Sequence, residues 1–306
     1  MECLVAIVGP TAVGKSEVAL RLAQEFEAEI VNADSRQVYR HMDIGTSKPT
    51  LAERGLVPHH VVDVVDPDED FNLAIYHQLA TSAIEAVQRR GKLALLVGGS
   101  GLYVWSIVEG WRIPSVPPNR KLRHDLETEA EQEGIHHLFR QLQRVDPVAA
   151  AKIAPTNIRR VIRALEIYHM SGKPSSQFWR KEAPHFPVLI IGLTVERAEI
   201  YRRIDRRVDK MVEEGLVDEV KWLLERGYGL FLPSMSGIGY KQIGEFLQGN
   251  TSLPAAIDMM KYETHRLTRL QYAWFRPNDD RIHWLNVDQR SAAVGEAKNL
   301  VASFAS

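Results

Sequence analysis

The stretch Gly9-Pro10-Thr11-Ala12-Val13-Gly14-Lys15-Ser16 decides the prediction of the fold. It has the spacing G-x-x-x-x-G-K-[ST], it follows a short apolar run at Leu4–Val8, and it precedes a helical pattern at Ser16–Phe26. In such a loop, backbone N–H groups turn toward phosphate oxygens, and the N-terminal end of the helix adds its positive dipole. This context predicts a phosphate or pyrophosphate site on an α/β fold.

Within this loop, each residue type has an expected part in binding phosphate. Lys15 supplies a positive charge, and the Ser16 hydroxyl is the predicted ligand of a Mg²⁺ ion held by the phosphates. The predicted phosphate-binding residues are Gly9, Thr11, Ala12, Val13, Gly14, Lys15 and Ser16.

Outward from the loop, short apolar runs alternate with amphipathic segments. This rhythm predicts a P-loop NTPase-like α/β core around a mostly parallel sheet. The predicted strands are Leu4–Val8, Glu29–Asn32, Val61–Val65, Leu93–Val97 and Val188–Leu193.

The alternation is interrupted in the middle of the chain. Two segments rich in proline and serine, 113–118 and 173–187, read as loops, and only helical patterns lie between them. We therefore expect a small all-helical insertion domain at residues 113–184. It interrupts a core formed by residues 1–112 and 185–306.

Composition excludes several classes of protein. The 306 residues are 45% hydrophobic and 25% charged, which is typical of globular proteins and not of disordered, collagenous or coiled-coil chains. No apolar run is long enough to cross a membrane. The N-terminus lacks the pattern of a signal peptide, and the single cysteine, Cys3, cannot form an internal disulfide. These features predict a cytoplasmic protein.

Charge is distributed unevenly along the chain. Residues 112–182 hold 13 Lys or Arg against 8 Asp or Glu, whereas the net charge of the whole chain is −1. A polyanionic partner would bind this segment. A solvated helical face explains the count equally well.

Asp34 is the one acidic residue at the end of a predicted buried strand. It could be a helix cap or a turn residue. Because ligands bind at the carboxyl ends of parallel strands, a general base or a metal ligand beside the phosphate loop is the alternative. The strand at 93–97 ends in Gly98-Gly99 with no carboxylate, which disfavours ordinary ATP hydrolysis.

Two helical segments carry arginines opposite an apolar stripe. Those at 155–170 suit a phosphodiester backbone, and a solvated face is their alternative reading. Those at 196–214 lie one turn apart on a shared face, which fits a functional role and equally fits local ion pairing with Glu199. The arginines are Arg159, Arg160 and Arg163 in the first segment, and Arg203 and Arg207 in the second.

The whole pattern resembles the bacterial tRNA dimethylallyltransferases, also called tRNA isopentenyltransferases. The matching strings follow family order over nearly the whole chain. They are Gly9–Ser16, Asn32–Tyr39, Met42–Pro49, Val57–His60, Gly98–Tyr103, Arg163–Glu166 and Gly237–Gln242.

The resemblance implies transfer of a dimethylallyl group from dimethylallyl diphosphate to N6 of the adenosine 3′ of a tRNA anticodon. It implies Mg²⁺, release of pyrophosphate, and a helical insertion that grips the anticodon stem-loop. By position, Asp34 matches the general base, Arg207 an arginine on the leaving group, and Ser100 a threonine that bonds the substrate. The positions that match tRNA contacts are Asp34, Ser35, Arg36, Gln37, Ser100, Arg123, Arg159, Arg160 and Arg163.

The chain departs from the family in its C-terminal string. His265 and Leu270 stand where arginines are common, which affects the expected tRNA contacts of that helix. Among alternatives, a P-loop kinase explains the loop and Asp34 but not the basic insertion. An adenylate isopentenyltransferase has the same chemistry on a free nucleotide. A GTP-switching RNA-binding protein would need a guanine-reading Asn-Lys-x-Asp string, which this sequence lacks. We expect a monomer with no membrane partner.

Overall fold

The computed structural model describes residues 2–114 and 116–305; Ser115, in the predicted loop 113–118, lies outside them. The chain divides into two compact units. One, here called the core unit, comprises Met1–Val108 and Pro184–Ser306, and the other, the insertion unit, comprises Glu109–Ala183. The insertion thus begins four residues before the position expected from the sequence. Among the described residues, no helix is long and apolar enough to cross a membrane.

The core unit contains a six-stranded sheet in which every neighbouring pair is parallel. Its order is β3-β2-β4-β1-β5-β6. Strands β1 and β4 are buried along their whole length, as expected for a parallel sheet covered on both faces. The strands are β1 Leu4–Val8, β2 Glu29–Asn32, β3 His59–His60, β4 Ala94–Val97, β5 Val188–Thr194 and β6 Ile282–Asn286.

Two strands differ from the sequence prediction. The predicted strand Val61–Val65 is wrong, because Val61 and Asp63 have φ values of 60° and 55°, which interrupt extended backbone. Only the two residues of β3 pair with β2 instead. Strand β6 was not predicted; it lies at the sheet edge, and its polar, partly exposed positions weaken the apolar signal of a buried strand.

Helices cover the sheet and build the insertion unit. The helix at Lys15–Glu25 begins one residue before its predicted start at Ser16. The α-helices are α1 Lys15–Glu25, α2 Leu51–Leu56, α3 Leu73–Arg89, α4 Gly101–Val108, α5 Arg120–Glu133, α6 Ile135–Val145, α7 Pro147–Ala150, α8 Ile158–Ser171, α9 Arg197–Glu213, α10 Leu216–Glu225, α11 Tyr240–Leu247, α12 Leu253–Trp274 and α13 Arg290–Ala305.

Helices α5 to α8 enclose a separate apolar core in the insertion unit. Leu138, Leu142 and Val161 are fully buried at its centre. Asp146 is 1% exposed and caps α7 by accepting a hydrogen bond from the backbone N–H of Ala149. It also accepts hydrogen bonds from the loop at Ser175-Ser176. The insertion unit therefore depends on the buried carboxylate of Asp146 as well as on apolar packing.

Candidate active site

The phosphate loop joins β1 to α1 at the carboxyl edge of the sheet. Gly9 and Gly14 have φ values of 139° and 107°, which other residues adopt only with strain. A Cβ atom at Gly9 would also lie 2.5 Å from the carbonyl oxygen of Leu193 on β5. The first glycine of the motif is thus required by the close approach of the neighbouring strand.

The loop borders a cavity of about 950 Å³. Of the predicted phosphate-binding residues, Gly9 and Val13 do not line it, and Val13 is fully buried. The backbone N–H of Thr11 donates to the side chain of Gln271 on α12 and is therefore already used within the protein. The loop residues that line the cavity are Thr11, Ala12, Gly14, Lys15 and Ser16.

Lys15 folds back onto its own loop. Its Nζ donates hydrogen bonds to the carbonyl oxygens of Gly9 and Pro10, at 3.0 and 2.7 Å. Desolvation lowers the pKa of Lys15 to about 8; the Asp34 charge opposes this shift and the Arg207 charge adds to it. The same three charged groups therefore influence one another across the cavity.

Helix α9 supplies two arginines to the cavity from one of its faces. Arg203 and Arg207 are one turn apart, and both line the cavity. Arg203 forms the predicted ion pair with Glu199, at 2.8 Å. The Arg207 guanidinium forms no hydrogen bond to another residue in the described parts of the chain, and desolvation lowers its pKa against the attraction of Asp34. Its donors are therefore available to an anionic ligand.

Asp34 follows β2 and is held by its own turn. Its Oδ1 accepts a hydrogen bond from the backbone N–H of Arg36 at 2.8 Å, and its backbone N–H donates to Asn32 Oδ1. Asn32 also donates to the carbonyl oxygen of Val61, which fixes the turn to the neighbouring chain segment. Across the described residues, Asp34 Oδ2 accepts no hydrogen bond. One oxygen is thus positioned and the other is open to a donor.

Ser100 supports this turn from the next strand. Its Oγ accepts a hydrogen bond from the backbone N–H of Ser35 at 3.0 Å, and its own N–H donates to the carbonyl oxygen of Ala33. Ser100 does not line the cavity, whereas Asp34 does. In this structure Ser100 therefore positions the residues around Asp34; its predicted bond to substrate stays a prediction.

Arg36 and Gln37 make contacts within the core unit. Arg36 donates to the carbonyl oxygen of Pro233 at 2.9 Å, and Gln37 donates to the carbonyl oxygens of Thr46 and Ser47. Gln37 lines the cavity and Arg36 does not. Both side chains hold loops at the edge of the site, and their predicted contact with tRNA stays a prediction.

The arginines of the insertion unit lie in two different environments. Arg123 and Arg163 converge on Glu166, which is fully buried; Arg123 binds it through Nε and Nη2 at 2.8 and 2.9 Å. Arg159 and Arg160 are exposed. The helical spacing thus predicted three arginines on one face, whereas Arg163 is bound to an internal carboxylate and two remain free to approach a polyanion.

Two further cations of α9 at the cavity were not singled out from the sequence. Arg206 and Lys210 on α9 both line it. Both lie in the predicted helix 196–214, but their positions relative to the loop depend on how α9 packs against the sheet. The sequence signal for Arg206 and Lys210 is that α9 carries further basic residues, one turn apart, beside Arg203 and Arg207.

The donor set suits a metal ion held mainly by a ligand. The described residues contain no group of three or more His, Cys, Asp or Glu side chains that could hold a metal. Ser16 is exposed at the cavity and offers a single hydroxyl. Mg²⁺ commonly takes most of its ligands from phosphate oxygens and water, so the residues fit a Mg²⁺–diphosphate and not a protein-bound metal.

The end of β4 explains why this site lacks the second carboxylate of ordinary ATPases. A Cβ atom at Gly98 would lie 2.1 Å from the carbonyl oxygen of Ala33. Any side chain there would displace the backbone that leads to Asp34. The acid of this site is therefore at the end of β2.

A phosphate loop on a parallel sheet, with Arg207 and Asp34 at the same cavity, defines a P-loop enzyme of group transfer. The model of the family described as IPP transferase matches residues 37–278, and that described as isopentenyl transferase matches 2–57. The chain belongs to the IPP transferase family.

Individual relatives agree with this assignment. A tRNA dimethylallyltransferase of Roseiflexus castenholzii is 52% identical over 273 residues, which is 89% of each chain. One of Desulforudis audaxviator is 49% identical and covers 98% of this chain and 97% of its own.

Solved structures show the same fold. A tRNA isopentenylpyrophosphate transferase of Bacillus halodurans has a TM-score of 0.72 and 43% identity, and covers 99% of this chain and 96% of its own. A eukaryotic dimethylallyltransferase acting on tRNA has a TM-score of 0.83 and 29% identity, and covers 99% and 80%. The predicted fold and family are confirmed.

Proposed function

We propose that this protein transfers a dimethylallyl group from dimethylallyl diphosphate to N6 of the adenosine 3′ of a tRNA anticodon and releases pyrophosphate. The observation that carries the proposal is the placement of Lys15, Arg207 and Asp34 around one cavity at the phosphate loop. Two cations for a leaving diphosphate and one base for an incoming amine are what this alkyl transfer needs.

The diphosphate binds at the loop side of the cavity. Lys15 leaves its contacts with the carbonyl oxygens of Gly9 and Pro10 and binds phosphate oxygens instead. Arg207 donates to the same group, because its guanidinium has no partner among the described residues. Ser16 would hold a Mg²⁺ ion bound to the diphosphate, and the ion would supply further positive charge. Lys15 and Arg207 stabilise the charge that grows on the leaving oxygen as the C–O bond breaks.

The amine attacks from the side of Asp34. The N6 lone pair forms the new bond to C1 of the dimethylallyl group, while the electron pair of the C–O bond leaves with pyrophosphate. Asp34 Oδ2, which accepts no hydrogen bond from the described residues, takes the proton that N6 loses. Because an exocyclic amine is a weak nucleophile, holding it near C1 is a large part of catalysis.

The tRNA is bound through its phosphates by exposed cations of the insertion unit, which include Arg159 and Arg160. Arg123 and Arg163 keep about two fifths and one third of their side chains exposed, so each can reach a phosphate while bound to Glu166. We propose that the protein acts as a monomer. We place this monomer in the cytoplasm, where tRNA is modified.

One assay tests this function against its alternatives. Protein, Mg²⁺ and labelled dimethylallyl diphosphate are mixed with unmodified tRNA and, in parallel, with AMP. Label in tRNA alone supports the proposal. Label in AMP alone assigns the chain to nucleotide prenylation, and ATP turnover with no label in either acceptor assigns the loop to a kinase.

A further inference from the structure

Gln271 lies in the last turn of α12, beside the phosphate loop. Its side chain is 8% exposed and does not line the cavity. It therefore has no direct access to a ligand in the cavity. It nevertheless contacts the phosphate loop and the glycine-rich turn that follows β4.

The amide of Gln271 bridges these two segments. Its Oε1 accepts a hydrogen bond from the backbone N–H of Thr11 at 2.8 Å, and its Nε2 donates one to the carbonyl oxygen of Gly99 at 3.1 Å. Since one partner can only donate and the other can only accept, the amide has a single productive orientation. No aliphatic or charged side chain can replace both contacts.

Close packing keeps the bridge in place. A Cβ atom at Gly99 would lie 2.3 Å from Gln271 Nε2, and one at Gly101 would lie 2.3 Å from Trp274 Cγ. The carbonyl oxygen of Trp274 accepts a hydrogen bond from Trp105 Nε1 on α4 at 3.1 Å. The glycine-rich turn and the end of α12 thus fit together without room for larger side chains.

The bridge continues to the acceptor side of the site. Gly99 precedes Ser100, whose Oγ accepts from the N–H of Ser35. Ser35 in turn follows Asp34. The amide of Gln271 is therefore the link between the loop that binds the diphosphate and the turn that carries the base.

We propose that Gln271 is a positioning residue, which sets the distance between the diphosphate loop and the Asp34 turn through its paired hydrogen bonds. The expected effect of Gln271 on the transfer rate rests on the proposed function. Its expected effect on the phosphate loop does not, because the hydrogen bond between Gln271 and Thr11 forms without tRNA.

The discriminating variant is Gln271→Glu, which has nearly the same shape. An ionised carboxylate accepts from Thr11 but cannot donate to the carbonyl oxygen of Gly99, and it repels that oxygen. A protonated carboxyl has one O–H donor and one acceptor and restores both contacts. Burial next to a carbonyl oxygen favours the protonated form, so recovery falls in an accessible pH range.

The experiment measures three quantities between pH 5.5 and 8.5: the single-turnover rate of transfer, the Kd for pyrophosphate with Mg²⁺, and the Kd for tRNA. Each value for Gln271→Glu is divided by the value for the wild type at the same pH. Dividing by the wild type removes the titration of Lys15, which both proteins share. Gln88→Glu is the matched control, because Gln88 donates to the carbonyl oxygen of Cys3 away from the site.

At pH 8.5 we expect Gln271→Glu to lower the transfer rate about tenfold or more and to weaken pyrophosphate binding, with tRNA affinity unchanged. Both ratios recover toward one as the pH falls, whereas Gln88→Glu stays near one throughout. A Gln271→Glu ratio of one at pH 8.5, or a loss that is the same at every pH, overturns the proposal. A wild type without transfer contradicts the proposed function instead, and pyrophosphate binding then still tests the role of Gln271.

Discussion

At Asp34, one carboxylate oxygen is held by the N–H of Arg36 and the other faces the site without a partner among the described residues. Replacing this residue by alanine removes the proton acceptor but leaves the exposed arginines of the insertion unit in place. We expect Asp34→Ala to lower turnover about a hundredfold or more and to leave the Kd for tRNA within about twofold.

Single-turnover rates and tRNA binding check this prediction. Asp34→Asn keeps the bond to Arg36 but cannot take a proton, so it should lose as much activity as the alanine variant. Asp68→Asn, at an exposed residue that does not line the cavity, is the control. An asparagine variant with the rate of the wild type would remove Asp34 as the base.

Lys15 makes donor binding depend on pH. Its pKa of about 8 means that the ammonium form, which binds diphosphate, prevails below pH 8 and is lost above it. Bound diphosphate favours the ammonium form, so affinity should fall by up to about tenfold per pH unit above pH 8. The diphosphate contributes little to this slope, since the last pKa of such a phosphate is near 6.

The Kd for dimethylallyl diphosphate without tRNA, measured from pH 7 to 9.5, tests this dependence. Lys15→Met should bind more weakly at every pH and lose the slope. An affinity of the wild type that is flat over this range would mean that Lys15 is charged throughout.

The place of a single residue in the site was predictable where a local sequence motif contains that residue. Lys15 and Ser16 follow from the spacing of the loop, and Asp34 from its place after a short apolar run. Gln271 was not predictable in this way, because its partner Thr11 is 260 positions away and its role depends on packing. The internal partner of Arg163 was missed because helical spacing alone does not show that Glu166 is buried.

At the scale of elements, the buried strands and long helices were the predictable part. β1 and β2 have their predicted bounds because uninterrupted apolar runs mark strands that are covered on both faces. β6 was not predicted, because an edge strand with exposed positions has no uninterrupted apolar run. The apolar residues at 61–65 resembled a strand, although backbone of positive φ occupies that place.

The insertion unit offers an element-scale prediction at Asp146. Burial alone would raise the pKa of Asp146, but the hydrogen bonds from Ser176, Ala149 and Ser175 outweigh it and hold the pKa below its ordinary value. Removing this carboxylate leaves the start of α7 and the 175–176 loop without their shared acceptor. We expect Asp146→Ala to lower the free energy of unfolding of this unit by about 2–3 kcal/mol.

Hydrogen exchange of the amides in α7 and α8 measures that loss, with Asp125→Asn as the control at an exposed residue. Because the pKa is lowered, the stabilisation is present above the ordinary pKa of an aspartate and is lost as the pH falls through the lower value. Equal protection in Asp146→Ala and the wild type near neutral pH would contradict this account.

At the scale of the whole molecule, the net charge of −1 conceals a basic insertion. If Arg159 and Arg160 each neutralise a phosphate, the double variant Arg159→Gln/Arg160→Gln should bind tRNA more weakly. The slope of log K against log salt should become shallower by about two. Arg89→Gln is the control, since Arg89 is exposed on α3 of the core unit. An unchanged slope would mean that both arginines lie on a solvated face and do not bind tRNA phosphates.

The central claim is that the cavity at the phosphate loop prenylates one adenosine of tRNA. The most direct measurement treats unmodified tRNA with the protein, Mg²⁺ and dimethylallyl diphosphate, digests it, and locates the added mass by mass spectrometry. The account predicts a single dimethylallyl group on N6 of the adenosine 3′ of the anticodon. A group at any other position, or tRNA that gains no mass while the protein consumes another phosphate compound, would contradict it.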